Sequence, residues 1–294
     1  HPDLVLTKES GISGGFEQKS AATASRGIPL LVIRRPPLPD DFITVNGPHG
    51  LRRETESLLP GFFDLRTGIT TGTCATAGAC AALRALLCGG YNRPDVPVLL
   101  PNGESIRIAI KSIRPANTEG QGYTATVTKD GGDDADVTHG HDICTTVVPY
   151  PLSDNDELFL IEGGKGVGRV SLPGLGLAVG QAAINNGPRQ MIIHNLHEIL
   201  RRHSTTHNAV GYRISISVPD GEKLAAQTFN PRIGVVGGIS IIGTSGIVRP
   251  FSTDAFIASI RKALEVAKAT GSERVVINSG ARSERFLRNR YPDL

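Results

Sequence analysis

A run of small residues, Leu65–Leu87 (LRTGITTGTCATAGACAALRALL), most constrains how this chain can fold. It opens with Thr70, Thr71, Gly72, Thr73 and Cys74, continues through alanine, glycine and threonine, and closes on Leu83, Leu86 and Leu87. The pattern predicts a small-residue turn feeding the N-terminus of a tightly packed helix. That helix runs to about Cys88, where Gly89-Gly90 stops it. A helix start carries free backbone N–H groups and a partial positive charge. Glycine lets the backbone approach a ligand closely, and threonine hydroxyls add donors. Two readings stand side by side: an anion-binding helix start, and a threonine-capped helix with a small face laid against a sheet.

With 294 residues, the chain has length for about two domains. Its 39% hydrophobic and 20% charged content is that of an ordinary globular chain able to bury a core. The net charge of +3 is too mild for a nucleic-acid partner, which wants a clustered basic face, but suits a small anionic substrate. Tryptophan is absent and aromatics make up 5%, too few for base-stacking platforms. Cys74, Cys80, Cys88 and Cys144 form no CxxC pair and no zinc spacing, and read as buried reduced thiols of a cytoplasmic protein. No run of about 18 apolar residues marks a membrane span, and no signal peptide is visible. A chain beginning at His1 reads as a segment of a longer product.

Residues 1–39 read as the last strand–helix–strand unit of a parallel sheet, with Leu4–Thr7, Phe16–Arg26 and Ile28–Ile33 as its elements. Residues 40–64, broken by Gly47, Pro48, Pro60 and Gly61, read as a linker with a turn of helix at Arg53–Leu59. Residues 65–187 read as a mixed α+β domain. After its helix come strands Val96–Leu100 and Ser105–Ile113 about an Asn102-Gly103 turn, then Tyr123–Lys129 and Glu157–Ile161. Residues 188–294 read as a Rossmann-like parallel α/β domain. Its elements are helix Pro188–Arg201, strand Tyr212–Val218, the apolar run Ile233–Ile242, a helix from Ser252 to Thr270, and strand Arg274–Asn278. Phe256, Ile260, Leu264 and Ala267 are the expected buried stripe of the second helix. The glycine-rich ends of the last two strands, Gly243–Gly246 and Ser279–Ser283, lie where open parallel sheets hold ligands.

The segment Lys129–His141 (KDGGDDADVTHGH) sets Asp130, Asp133, Asp134 and Asp136 within seven residues. Oxygen ligands at this density suit a hard cation, although the order and closing Glu of an EF-hand are missing. Carboxylates this close raise one another's pKa, which suits a general base; a solvated acidic turn is the plainer alternative. Glu162–Gly168 fits the E-x-G-x-G-x-G string of many S-adenosylmethionine enzymes, but Pro173 and the later glycines forbid the helix that should follow. Thr244 stands where a phosphate-binding loop needs lysine, which argues against ATP. His194 and His197 lack a third ligand at metal spacing, so no metal site is assigned.

Several long strings in order resemble the cobalt-precorrin-5B C-1 methyltransferase family of anaerobic cobalamin biosynthesis. They are GITTGTCATAGACAAL from Gly68, VTKDGGDDADVTHG from Val127, GGKGVGRVSLPGLGLAVGQAAIN from Gly163, PRQMI from Pro188, ISVPDGEKLAAQTFNPRIGVVGGISIIGTSGIV from Ile216 and VINSGARSERFL from Val276. Lys165 and Leu172 depart from the acidic and basic residues expected there, and neither is assigned a role. The first 39 residues resemble the C-terminal end of precorrin-6A reductases, through Val5-x-Thr7-Lys8-x-Ser10-Gly11 and the closing IPLLVIRRP from Ile28.

The resemblance implies a two-domain methyltransferase module that moves a methyl group from S-adenosylmethionine to ring carbon C-1 of a cobalt-containing corrinoid precursor. It implies a cytoplasmic protein without nucleic-acid or membrane partners, and leaves open whether it is a homo-oligomer. The family's chains continue beyond Leu294, so part of the cofactor pocket is expected to be missing. A reductase–methyltransferase fusion, cut at both ends, is expected. Methyl transfer needs its two partners held in near-attack geometry. Asp130, Asp133 and Asp134 are the catalytic candidates, to take up a proton or steady positive charge. Gly243, Thr244, Ser245, Gly246, Asn278, Ser279, Gly280, Arg282 and Ser283 are the cofactor candidates. Arg66, Thr70, Thr71, Gly72, Thr73 and Arg169 are candidates for the substrate's peripheral carboxylates. Cobalt arrives inside the substrate, so no protein metal ligand is required. Two other readings stay open: a nucleotide-binding, kinase-like enzyme using the Thr70–Cys74 helix start, and a non-catalytic tetrapyrrole- or anion-binding module.

Overall fold

Thr70 caps the small-residue helix, its hydroxyl accepting from the Thr73 N–H at 3.1 Å, and Gly89 ends it in the left-handed region at φ 68°. Between these ends the helix is buried over most of its surface. The structure, a computed structural model, describes residues 2–10, 14–34, 42–116, 122–153, 156–203, 210–276 and 280–292. The chain divides into two compact units, His1–Thr44 and Val45–Leu294.

In the first unit, Val5–Lys8 (β1) pairs in parallel with Leu30–Ile33 (β2), and helix Phe16–Ala24 (α1) connects them. This is the strand–helix–strand order read from the sequence.

The second unit opens with helix Gly47–Leu58 (α2) and strand Gly68–Ile69 (β3), which leads into the small-residue helix Thr71–Cys88 (α3). The hairpin of Asp95–Leu99 (β4) and Ser105–Ala109 (β5) closes around Asn102-Gly103 as expected. Then come Ser112–Pro115 (β6), Tyr123–Thr128 (β7), Asp142–Pro151 (β8), Phe159–Gly163 (β9) and Arg169–Val170 (β10). Helix Asn186–Arg202 (α4), strand Val210–Ser217 (β11), helix Gly221–Ala225 (α5) and a 3₁₀ turn at Asn230–Ile233 follow. Strands Val235–Val236 (β12) and Ile247–Val248 (β13) precede helices Thr253–Ala269 (α6) and Ala281–Arg290 (α7).

Five strands form one sheet in the order β6-β7-β8-β11-β9, antiparallel except for the β11–β9 pair. Strand alternation puts Ala125, Val127, Ile143, Thr145 and Val147 on one face, all buried. Across that face lies α3, over β7 and β8, and α4 packs along α3 in turn. Small side chains let α3 sit close to the sheet: a Cβ added at Gly78 would lie 2.7 Å from Thr145 Oγ1. That hydroxyl donates to the Ala75 carbonyl at 3.2 Å, so the buried polar atom has a partner. The mean hydropathy of α3 is 1.2, enough by length and composition to cross a bilayer, yet 78% of it is buried inside this unit as a core helix.

Several segments fold otherwise than their sequence suggests. Gly47–Leu58, expected within a linker, forms α2, because Pro48 stands in the first turn, where proline starts a helix rather than breaking one. Strand β8, ten residues long, was not expected; Pro149 and Pro151 obscure the alternation of Ile143, Thr145 and Val147. The described residues after 188 do not build a separate Rossmann-like sheet. Instead β11 inserts between β8 and β9. The apolar run Ile233–Ile242 cannot stay extended, because Gly234 and Gly237 take positive φ (79° and 75°), leaving β12 and isolated bridges at Ile239 and Ile241. Of the expected strand Arg274–Asn278, residues 274–276 are irregular. Lastly, Phe256 and Leu264 of α6 are exposed and only Val266 of the helix is buried, since among the described residues no strand after α6 covers the stripe.

If close approach governs Gly78, Gly78→Val should cost about 1–3 kcal/mol through overpacking. Urea denaturation measures it; an unchanged midpoint would mean that α3 can move away from Thr145.

Candidate functional site

The first turn of α3 is where distant segments meet. Ile69 N–H donates to the Asp130 carbonyl at 2.8 Å, Thr70 N–H to Gly246 at 3.0 Å, and Gly72 N–H to Ile242 at 2.9 Å. Thr71 Oγ1 accepts from Ile242 N–H at 2.9 Å, and Thr73 Oγ1 donates to the Gly246 carbonyl at 2.7 Å. Strand β13 pairs antiparallel with β3 just before the helix. On the other side, Glu56 of α2 accepts from the Thr67 N–H at 2.9 Å and from its hydroxyl at 3.0 Å. Thr70, Thr71, Gly72 and Thr73, expected to face a substrate, are therefore buried and bonded to the Ser240–Gly246 loop. A buried helix start must satisfy its unpaired N–H groups, and the loop carbonyls do so here. The same commitment removes the phosphate cradle that a kinase-like reading needs.

The acidic loop packs against the same strand. Alternation along β7 carries through Val127 to Lys129, whose side chain is fully buried with Nζ 2.8 Å from Asp136 Oδ2. Burial works against ionisation of Asp136, but Lys129 and the Thr138 donors hold its carboxyl below the usual range. Arg66 Nη1 lies 2.6 Å from Asp130 Oδ2, and Asp130 Oδ1 accepts from the Gly132 N–H at 2.9 Å. Burial again opposes the charge, and these two donors again hold Asp130 low. The mutual raising expected of crowded carboxylates is thus overcome at Asp130 and Asp136 by paired cations. Asp133 Oδ2 accepts from the Arg66 N–H at 2.6 Å. Asp134 is half-buried, and among the described residues its carboxylate has no hydrogen bond or ion pair.

The Ser240–Gly246 loop also borders a cleft of about 260 Å³ at the start of α4. Leu175, Leu177, Asn185, Gly187, Thr244 and Lys262 are among its walls, and Gly243 lines it beside Thr244. Asn185 N–H donates to Ile241, and Pro188 lies against Gly72, so the starts of α3 and α4 adjoin. Among the described residues, the lining brings a helix start and one ammonium, shared with Glu265 at 2.7 Å, and no carboxylate; this donor set suits an anionic group.

The remaining expected residues scatter. Ser245 Oγ donates to the Ile247 carbonyl in its own loop, and Gly246 is buried. Arg169 sits on β10, and its Nη1 donates to the Gly180 carbonyl. Gly280, Arg282 and Ser283 open α7, which is tied to the 3₁₀ turn by Arg232–Glu284 at 3.4 Å. Asn278 and Ser279 lie outside the described residues. Glu56 escaped the sequence reading, and Lys129 and Asp136, read as part of the acidic loop, were given no role of their own. For Lys129 the signal was parity: a lysine two residues after Val127 on a buried strand face requires an acidic partner.

Asp136→Ala should strand the buried Lys129 ammonium and cost about 3–5 kcal/mol, whereas Asp134→Ala should stay within about 0.5 kcal/mol. Chemical denaturation of the two variants compares them. The depressed carboxyls of Asp130 and Asp136 stabilise the fold above the unfolded value of about 3.9, and that contribution disappears as pH falls through their lower folded values. Asp130→Asn should therefore flatten the acid limb of the stability–pH curve.

Residues 61–250 match the family described as CbiD, and residues 1–51 match Precorrin-6x reductase CbiJ/CobK. The cobalt-precorrin-5B C(1)-methyltransferase of Geobacillus kaustophilus is 49% identical over 230 residues, 78% of this chain and 59% of that protein. That of Nitratidesulfovibrio vulgaris is 46% identical over 236 residues, 78% of this chain and 58% of that protein. The chain thus spans about three fifths of the length of these curated relatives. The crystal structure of cobalamin biosynthesis protein (cbiD) from Archaeoglobus fulgidus aligns over 78% of this chain and 68% of that chain, with 29% identity and a TM-score of 0.48. With the family match running over every element from β3 to β13, the chain belongs to the CbiD family.

Proposed function

We propose that this chain methylates C-1 of cobalt-precorrin-5B to give cobalt-precorrin-6A, with S-adenosylmethionine as donor, and that its first unit belongs to a fused precorrin-6A reductase. One observation carries the reading. Arg66–Thr73, Asp130–Asp136 and Ser240–Gly246, far apart in sequence, are bonded together at one point. They do so in a chain 46–49% identical to proteins named for this reaction.

Alkylation of an electron-rich ring carbon leaves a proton to be taken up or positive charge to be offset, and a carboxylate serves either need. Of the three candidates, Asp134 takes this role. Asp130 is held low by Arg66 and is the weaker base for it, and Asp133 is bound to the Arg66 amide. Both act by positioning. Arg66, with 41% of its side chain exposed, is the cation beside them for a peripheral carboxylate of the substrate. Arg169 is assigned to a second carboxylate on charge alone.

S-adenosylmethionine supplies the methyl group when bound. Thr244, Lys262 and the start of α4 offer donors and positive charge for its carboxylate. At about 260 Å³ the cleft is smaller than the roughly 300–1,000 Å³ of pockets that enclose whole ligands, so it suits that end of the cofactor. The start of α7 is the second cofactor segment in this reading. Tethering to a reductase would keep a labile product at an effective concentration of about millimolar. A cytoplasmic location goes with this proposal.

Asp134→Asn should lower kcat for methyl transfer by about 10²–10⁴-fold with the thermal midpoint unchanged. Calorimetric titration with S-adenosylhomocysteine should show binding that Lys262→Ala weakens. Corrinoid binding without any S-adenosylhomocysteine affinity would instead favour a non-catalytic tetrapyrrole-binding module.

A further inference from the structure

The helices α3 and α4 start side by side at Gly72 and Pro188 and end side by side at Cys88 and His203. Cys88, the last residue of α3, is exposed, and its Sγ lies 3.5 Å from His203 Nε2. His203 caps α4, with Nδ1 2.9 Å from the Ile199 carbonyl. A carbonyl oxygen only accepts, so Nδ1 carries the hydrogen, and in the neutral ring Nε2 bears the lone pair that meets the thiol. A nucleophile within reach of a base, itself oriented by a third group, is the arrangement that activates thiols. The other cysteines differ. Burial pushes the thiols of Cys74 and Cys80 up to about 12, and Cys144 is half-buried, 3.6 Å from Thr126 Oγ1. Cys88 is the last residue of α3, and the group within reach of its sulfur is His203. Methyl transfer has no use for this pair, which lies about 26 Å along α3 from Thr71.

We infer that Cys88 and His203 form a reactive thiol site that exchanges with small disulfides. The Cys88 sulfur attacks one sulfur of the disulfide, and a new S–S bond forms as the old one breaks. The thiol proton passes to His203 Nε2 and leaves on the departing thiol. Cys88 ends as a mixed disulfide, one small thiol is released, and the disulfide itself is the oxidant.

The full chain would be incubated with oxidised glutathione at neutral pH, and the modification rate of each cysteine followed by peptide mass spectrometry. Cys88 should react first, and His203→Ala should slow it about tenfold or more. His203→Gln, which keeps an amide donor but no base, should behave like the alanine variant, and thermal denaturation confirms that both remain folded. Unchanged Cys88 rates in both variants, or faster modification of Cys144, would overturn the assignment.

Discussion

The buried start of α3 is the constraint on which the second unit depends. A helix that begins inside a protein leaves several N–H groups without intrahelical partners, and each is costly if left unbonded. Here the partners come from a loop 171 residues away, through Ile242 and Gly246. Because that loop is clasped, β13 pairs with β3, and the start of α4 is held against Ile241 and Gly72. The threonine hydroxyls cannot serve both as clasp and as ligand donors. The proposed function accordingly assigns ligand chemistry to groups that the clasp positions rather than to the clasp itself.

The acidic loop follows a similar division. Four carboxylates in seven residues would repel one another and resist ionisation if left alone. The fold brings in two cations: Arg66 from the segment before β3 and Lys129 from just past the end of β7. Lys129 is fully buried, and a buried ammonium without a partner is far more costly than the pair. Asp136 is thereby required by the fold, and Asp130 is bound to hold Arg66. Among the described residues, Asp134 is the loop carboxylate with no hydrogen bond or ion pair, which is why the proposed function places its proton acceptor there.

Much of the local structure was legible because its causes are local. A threonine cap and a glycine stop bound α3, and an Asn-Gly turn closes the β4–β5 hairpin. The serine cap of α6 and the strand–helix–strand order of the first unit followed from similar signals. Strand β8 escaped because its two prolines imitate a loop, and α2 because a proline at its start imitates a break. The apolar stripe of α6 misled in another way: periodicity shows which residues share a face and is silent on whether anything covers it.

By itself, the sequence determined where the candidate segments lie: the threonine-rich helix start, the acidic loop and the glycine-rich loop before β13. These are patterns of residue type and spacing, readable one segment at a time. Only the tertiary structure decided how the segments divide their work. Whether a hydroxyl meets a ligand or a carbonyl, and whether a carboxylate is a base or an ion-pair partner, depends on groups brought close from far along the chain. Such pairings depend on burial and distance, which the linear order of residues does not contain.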